Sequence, residues 1–185
     1  MNKVSKTFQF DFSKHSSLLV GLLSDTHGYL NKDIHRQLSN CDVLLHAGDI
    51  GSFQVIKQLK KISKNIIPVC GNNDVKEKWA KEEHQDLNKI SDLAEVNFPG
   101  GNIVITHGDR FFSVANRHKK MREHFPNAKA IVYGHSHKLV CDLDDKPWVL
   151  NPGAAGKTRT KGGASCLIMQ ITNAQWEVNA FRSTI

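Results

Sequence analysis

Five short apolar runs in this sequence each end beside a glycine and side chains that can bind metal ions. The runs are residues 18–24, 43–47, 66–70, 103–106 and 131–133. Helix-like segments lie near or between them, at residues 31–39, 53–62, 75–89 and 114–125. Strands that alternate with helices in this way predict an α/β fold with a mostly parallel sheet.

The last quarter of the chain shows short strand-like runs without helices between them. These runs are residues 139–143, 148–150, 164–171 and 176–181. They predict a second, more antiparallel sheet packed against the first. Residues 1–17 form a polar extension in which Phe8, Phe10 and Phe12 alternate with polar residues, which predicts an edge strand. We therefore expect one domain over residues 18–185, preceded by this extension.

The polar residues after the five early runs are of the types that bind metals. They are Asp25 and His27, then Asp49, then Asn72, then His107, and finally His135 and His137. Ligands of α/β sheets bind at the carboxyl ends of the strands, so these side chains are expected at one edge. A glycine stands by each group, at Gly28, Gly48, Gly71, Gly108 and Gly134. Glycine allows positive φ and close backbone approach, as a crowded metal site requires.

The composition of this ligand set indicates the class of ion. Carboxylate, amide oxygen and imidazole are present, whereas the four cysteines are far apart and form no CxxC unit. Such ligands suit divalent Mn, Fe, Zn, Co or Ni. Asp25 and Asp49 are the only anionic members, so two dications would leave the centre net positive and able to hold phosphate and hydroxide together.

The motif order D-x-H, GD, GN-x-D, H-G and GH-x-H resembles the calcineurin-like metallophosphoesterase superfamily. The short chain, and Asn151-Pro152-Gly153 leading on to Arg159, are similar to its YfcE-type branch of small phosphodiesterases. The resemblance runs from about Leu18 to the C-terminus. It implies a four-layer αββα sandwich of two mixed β-sheets and hydrolysis of phosphate esters.

The resemblance also implies a role for each ligand. Asp25, His27 and His137 would hold a first metal ion, and Asn72, His107 and His135 a second. Asp49 would bridge the two ions, and a hydroxide shared between them would attack phosphorus. Catalysis would work through the metals, by way of Asp49, Asn72 and His107, with no protein nucleophile. We expect two divalent ions, Mn²⁺ first, with Ni²⁺, Co²⁺, Zn²⁺ and Fe²⁺ as alternatives.

One position departs from the larger superfamily. Many members read GNHE, and the histidine there is thought to protonate the leaving group, whereas this chain has Asn73. An amide cannot donate that proton, and general acid catalysis contributes roughly 10²–10⁴-fold to a rate. The expected substrates are therefore small phosphodiesters, or phosphomonoesters with activated leaving groups.

Other charged and aromatic residues give weaker indications. Four cations could steer a phosphate, namely Arg110, Arg117, Lys157 and Arg159. His46 is a candidate for supporting the ligands from behind, and the remaining histidines are expected on the surface. The three tryptophans, Trp79, Trp148 and Trp176, are expected in the core.

Charge and hydropathy limit the alternatives. The net charge of +7 fits an anionic substrate, but the lysines are spread widely and stable nucleic-acid binding is not expected. The longest apolar run is too short to span a membrane, and we expect a cytoplasmic protein. Two other functions stay open: a non-catalytic protein-binding scaffold of the same fold, and a small nuclease or cyclic-nucleotide phosphodiesterase. A homo-oligomer is also left open.

Overall fold

The computed structural model describes residues 7–111 and 115–184, which form two β-sheets and a few short helices. Sheet I has six strands in the order β1-β5-β6-β7-β9-β8, and sheet II has five in the order β11-β10-β2-β3-β4. The strands are β1 (Thr7–Asp11), β2 (Ser17–Leu23), β3 (Val43–His46), β4 (Asn65–Pro68), β5 (Leu93–Phe98), β6 (Gly101–Thr106), β7 (Ala130–Val132), β8 (Leu139–Asp142), β9 (Trp148–Pro152), β10 (Ser165–Thr172) and β11 (Trp176–Arg182). The helices are α1 (Lys32–Gln37), α2 (Phe53–Leu59), α3 (His84–Leu87) and α4 (Arg117–His124).

The two sheets pack face to face, and helices cover their outer faces. Side chains alternate along β2, so Val20 and Leu22 enter the core between the sheets while Leu23 packs outward with the residues of α1 and α2. Met121 of α4 packs against Ile131 on the outer face of sheet I. Both sheets contain parallel and antiparallel pairs. The predicted αββα sandwich of two mixed sheets is therefore confirmed.

The late strands do not form a sheet of their own, so that prediction was wrong. β10 pairs antiparallel with β2 in sheet II, and β11 pairs with the other edge of β10. In sheet I, β9 pairs parallel with β7, and β8 pairs with the other edge of β9. Each late hairpin thus covers an edge strand that the βα units would otherwise leave unpaired, and unpaired strand edges invite aggregation.

Two other segments differ from the sequence-based expectation. β5 was not predicted, although Ala94, Val96 and Phe98 alternate with polar or exposed residues and are buried between the sheets. Residues 75–89 were predicted to be helical, but contain only a 3₁₀ turn at Lys81–Glu83 and the four-residue α3. Tertiary contacts of Trp79 override the helix propensity of this charged stretch.

The N-terminal extension and the helices complete the fold. β1 lies parallel to β5 at the edge of sheet I. α4 begins at Arg117, and the predicted start of that helix at Val114 lies outside the described residues. None of the helices described in the structure is long and apolar enough to cross a membrane.

Strands of both sheets deliver the predicted ligands. The predicted metal ligands follow three strands of sheet II, namely β2, β3 and β4, and two strands of sheet I, namely β6 and β7. The site therefore lies where the carboxyl ends of strands from two packed sheets meet, and the sequence-based expectation of a single sheet edge was too simple.

Candidate metal centre

The loop after β2 and the loop after β7 bring three ligand-type side chains together. His137 Nε2 lies 3.2 Å from Asp25 Oδ1 and 3.3 Å from His27 Nε2. Asp25 and His137 are buried, whereas His27 is partly open to solvent. These three residues have ligand atoms within 4.8 Å of one another, close enough to share one ion.

Asp49, in the loop after β3, lies at the middle of the cluster. Its Oδ2 is 3.7 Å from His27 Nε2 on one side and 3.5 Å from His107 Nε2 on the other. Asp25, Asp49 and His107 form a second group whose ligand atoms lie within 4.8 Å of one another. The carboxylate of Asp49 can therefore contact ions on both sides.

Asn72 joins the remaining two histidines. Its amide Oδ1 lies 3.2 Å from His107 Nε2 and 3.0 Å from His135 Nδ1. His107 is fully buried, while Asn72 is exposed at the mouth of the site. All seven predicted ligands thus lie in one continuous cluster of contacts.

The polar atoms of the cluster fit a divalent ion. Asp25 Oδ1 is buried and accepts no hydrogen bond from the described residues, while Ser24 Oγ donates to the other oxygen at 2.6 Å. A buried carboxylate oxygen without a hydrogen-bond donor is costly unless a cation binds it. His107 Nδ1 donates to Ala47 O at 2.8 Å, and His137 Nδ1 to Thr158 O at 3.0 Å, because a carbonyl can only accept. Both histidines therefore direct Nε2 towards the centre, where the nitrogen can bind an ion once it carries no proton.

Five of the seven predicted ligands have a backbone conformation that L-residues rarely adopt. Their φ angles lie between 46° and 63°, at Asp25, His27, Asp49, His135 and His137. The left-handed region costs such residues roughly 1–2 kcal/mol each. Strain of this kind concentrates at functional sites, where packing holds it in place.

The glycines beside the ligands act in two different ways. Gly28, Gly48 and Gly108 have positive φ, as expected. Gly71 and Gly134 do not, and at these positions the lack of a side chain matters instead. A Cβ on Gly71 would overlap the Asp49 carboxylate, and one on Gly134 would overlap Ser24 Oγ. Close approach, rather than positive φ, therefore explains those two glycines.

The protonation of the central pair follows from burial and mutual hydrogen bonding. Burial raises the pKa of Asp49, but hydrogen bonds from His107 and Asn73 outweigh it and hold the pKa well below its usual range. Burial lowers the pKa of His107, but the carboxylates of Asp49 and Asp25 overcome it and raise the pKa to about 9. Without an ion, the centre therefore holds an ionised carboxylate beside an imidazolium.

Two neighbouring residues matter more than the sequence suggested. The backbone N and side-chain Nδ2 of Asn73 donate to Asp49 at 2.8 and 2.6 Å, so Asn73 positions the central carboxylate. The carboxylate of Asp74 accepts from Ile50 N at 3.0 Å and from Gly71 N at 2.8 Å. Asp74 thus joins the loop of Asp49 to the loop of Asn72. The GN-x-D motif already indicated the role of Asp74, because a buried carboxylate next to a metal ligand needs several hydrogen-bond donors.

The structure also shows where the residues with weaker sequence indications lie, namely His46, the three tryptophans and His118. Fully buried His46 contacts Thr26 Oγ1 at 2.9 Å and so supports the loop of Asp25 and His27. Burial lowers the pKa of His46 to about 4. Trp79 and Trp176 are buried, and Trp148 packs partly buried against the core. His118, expected on the surface, is half-buried against Asp142 and Tyr133.

The four candidate phosphate-steering cations differ in their surroundings. Arg159 Nη2 lies 3.0 Å from His137 Nε2, directly at the centre. Arg110 pairs with Asp92 at the surface, and Lys157 lies over the ring of Tyr29. Arg117 is buried, and its Cζ lies 5.7 Å from the centroid of the Tyr133 ring.

Comparison with known proteins agrees with this geometry. A family model described as the calcineurin-like phosphoesterase superfamily domain matches residues 18–174. The chain belongs to the calcineurin-like phosphoesterase superfamily. A phosphodiesterase of Methanocaldococcus jannaschii is 31% identical over 145 residues, which cover 72% of this chain and 82% of that protein. Membership and this relative support phosphoesterase chemistry and divalent metal binding.

Solved structures of the superfamily share the fold. A novel archaeal phosphodiesterase superposes with a TM-score of 0.65 at 26% identity, covering 89% of this chain and 100% of that chain. Vacuolar protein sorting 29 from Cryptosporidium parvum superposes with a TM-score of 0.69 at 18% identity, covering 91% of this chain and 100% of that chain. The second likeness shows the fold alone.

Proposed function

We propose that this protein hydrolyses phosphodiesters, or phosphomonoesters with good leaving groups, at a centre of two divalent ions. The observation that carries the proposal is the convergence of seven ligand-type side chains, among which a buried carboxylate oxygen of Asp25 accepts no hydrogen bond from any residue that the structure describes. A cluster held in strained loops from two sheets is difficult to explain as a purely structural feature.

The contacts support a division of the ligands between two ions. Asp25, His27 and His137 would hold one ion, Asn72, His107 and His135 the other, and Asp49 would contact both. Asp49 lies within 3.7 Å of a histidine of each group, which supports the bridging role. When bound, the two ions would supply Lewis acidity and an activated shared water, with Mn²⁺ as the ion we expect.

The protein's own residues would hold and orient the reacting groups. Asn73 donates twice to Asp49 and so fixes the carboxylate between the two halves of the site. An ion at His137 would replace the contact that Arg159 makes there and leave the guanidinium beside the centre. Guanidinium pairs well with phosphate oxygens, so Arg159 would help to bind the substrate.

The substrate class follows from the absence of a proton donor at position 73. Asn73 uses its amide N–H to hold Asp49 and cannot protonate a departing alkoxide. The proposed substrates are therefore esters whose leaving group departs as a stable anion, as an aryl oxide does. Esters with poor leaving groups are expected to react about 10²–10⁴-fold more slowly than with an enzyme that has a general acid.

The test is a matrix of metals and substrates on purified protein. Aryl monoesters and diesters, and cyclic and linear nucleotides, are each assayed with Mn²⁺, Ni²⁺, Co²⁺, Zn²⁺ and Mg²⁺. Asp49→Ala should abolish turnover and lower the bound metal, while Asp86→Ala, which removes only an ion pair with Lys89 at the surface, should change neither. Near-normal turnover by Asp49→Ala would refute the proposal.

The same experiment distinguishes the other functions. A protein that binds no metal and turns over none of these esters would favour the protein-binding scaffold. Preference for nucleotides, with salt-sensitive binding of DNA or RNA, would favour the nuclease or cyclic-nucleotide phosphodiesterase. Cytoplasmic location and one domain over residues 18–185 remain predictions from the sequence, and the oligomeric state stays open.

A further inference from the structure

Arg117, the first residue of α4, is a buried cation without an acidic partner. Its relative exposure is 9%. Among residues 7–111 and 115–184, no carboxylate lies within 4.0 Å of its guanidinium. The remaining positions, 1–6, 112–114 and 185, contain no Asp or Glu side chain. Buried charges are normally paired, so this one requires an explanation.

The guanidinium is held in place by neutral groups. Its Nε donates to Phe111 O at 3.1 Å, and its Cζ lies 5.7 Å from the centroid of the Tyr133 ring. Both contacts fix its position, and neither neutralises its charge. Arg122 on the same helix shows the usual arrangement, because it pairs with Asp142 at 2.6 Å.

Tyr133, on which Arg117 lies, is itself fixed by a chain of hydrogen bonds. Its Oη lies 2.9 Å from His118 Nε2, and His118 Nδ1 lies 2.5 Å from Asp142 Oδ2. Tyr133 is buried, with a relative exposure of 2%. The platform beneath Arg117 is therefore rigid, as a residue that must meet a ligand at a defined position requires.

Arg117 lies next to the half of the centre formed by Asn72, His107 and His135. Tyr133 precedes Gly134 and His135 in the chain. The ring of Tyr133 also packs against Gly108, the residue after His107, because a Cβ on Gly108 would lie only 2.9 Å from Tyr133 Cδ2. The ring that Arg117 contacts therefore lies between the guanidinium and the loops that carry His107 and His135. A phosphate at the centre would be the nearest mobile anion to this guanidinium.

We propose that Arg117 binds an oxygen of the substrate's phosphate on the side of Asn72, His107 and His135. This inference rests on the proposed function. In the proposed complex, the phosphate would supply the anion that Arg117 lacks among the described residues. Guanidinium–phosphate pairs are strong where water is excluded. Arg117 is thus a substrate-binding residue, with Tyr133, His118 and Asp142 as the residues that position it.

The test compares wild-type protein with Arg117→Met, using inorganic phosphate as the probe. On Mn²⁺-loaded protein, isothermal titration should show that phosphate binds Arg117→Met about 10- to 150-fold more weakly, the loss expected for a hydrogen bond to a charged group. The KM for an aryl diester should rise in parallel. The melting temperature of the metal-free variant should equal or exceed that of wild type, because an unpaired buried charge has been removed.

Two further variants separate binding from structure. Arg36→Met removes one positive charge from an exposed pair with Asp33 and should leave phosphate affinity unchanged. Arg117→Lys keeps the charge without the planar fork and should bind phosphate with intermediate affinity.

Each result has a definite meaning. Equal phosphate affinity in wild type and Arg117→Met would overturn the inference and leave the proposed function standing. A melting temperature several degrees lower in Arg117→Met, with no partial recovery of affinity in Arg117→Lys, would assign Arg117 a structural role instead. Metal-loaded wild type that neither binds phosphate nor hydrolyses aryl diesters would overturn the proposed function and the inference together.

Discussion

Replacing Asp74 by Asn should loosen the two loops that carry Asp49 and Asn72. The Asp74 carboxylate is buried and accepts four hydrogen bonds. Its Oδ2 accepts from Ile50 N and Gly71 N, and its Oδ1 accepts from the two remaining donors, Gly51 N and Trp79 Nε1, at 2.9 and 3.1 Å.

The magnitude follows from the number of donors that Asn cannot satisfy. An amide of the same shape has one oxygen, so its NH₂ group must face two of the four donors in either orientation. Each lost hydrogen bond to a charged group is worth about 1.5–3 kcal/mol, so the free energy of unfolding should fall by about 3–6 kcal/mol. For a chain of this size that corresponds to a melting temperature lower by about 6–24 °C.

The assay is thermal unfolding of wild type and Asp74→Asn, each with excess EDTA and with excess Mn²⁺. The increase in melting temperature that Mn²⁺ produces should shrink in the variant, because both ligand-bearing loops lose an anchor. Asp86→Asn is the matched control: its exposed pair with Lys89 should contribute less than about 1 kcal/mol. The reasoning is refuted if metal-free Asp74→Asn unfolds within about 1 kcal/mol of wild type, since a carboxylate with four donors could not be replaced so cheaply.

The other predictions concern protonation, packing and thiol chemistry. Because the pKa of His107 is raised to about 9, metal-free protein carries a proton there that an ion must displace. Apparent Mn²⁺ affinity, measured by titration calorimetry, should therefore rise with pH and level off above about pH 9; a flat profile would contradict this. Gly134→Ala should lower metal affinity even if the variant folds, because its Cβ would overlap Ser24 Oγ beside Asp25; unchanged affinity by calorimetry would count against the close packing. Burial raises the pKa of Cys41 and Cys166 to about 12, so an alkylating reagent near neutral pH should label exposed Cys141 first and these two only after unfolding, as mass spectrometry can check.

Local sequence patterns were enough to predict the strand ends and the residues that follow them. The stretch from Asp25 to Gly28 follows a strand directly, and a metal-type residue in such a loop faces the carboxyl edge in any βα unit. The family resemblance was equally accessible, because its five motifs are short and occur in a fixed order. The two-sheet fold that it implies is confirmed by the structure.

Long-range pairing could not be predicted in the same way. The sequence suggested that β8 to β11 would form one late sheet, whereas β10 pairs with β2, about 150 residues earlier in the chain. A strand's alternation of polar and apolar residues shows that it has a buried face, but it does not show which edge it pairs with. β5 was missed because Glu95 and Asn97 dilute its apolar character, although its period of two was present.

The sequence by itself determined which chemical groups this protein has for its reaction. The seven ligand-type residues, the amide at position 73 and the absence of a cysteine from the ligand set can all be read from the sequence alone. Tertiary structure decided which of those groups meet, and which charges are neutralised. Arg122 is paired with Asp142, whereas Arg117, five residues earlier on the same helix, has no acidic partner in the described part of the chain. Whether a charge finds a partner depends on residues far away in the chain, so only the folded protein reveals that Arg117 still lacks an anion.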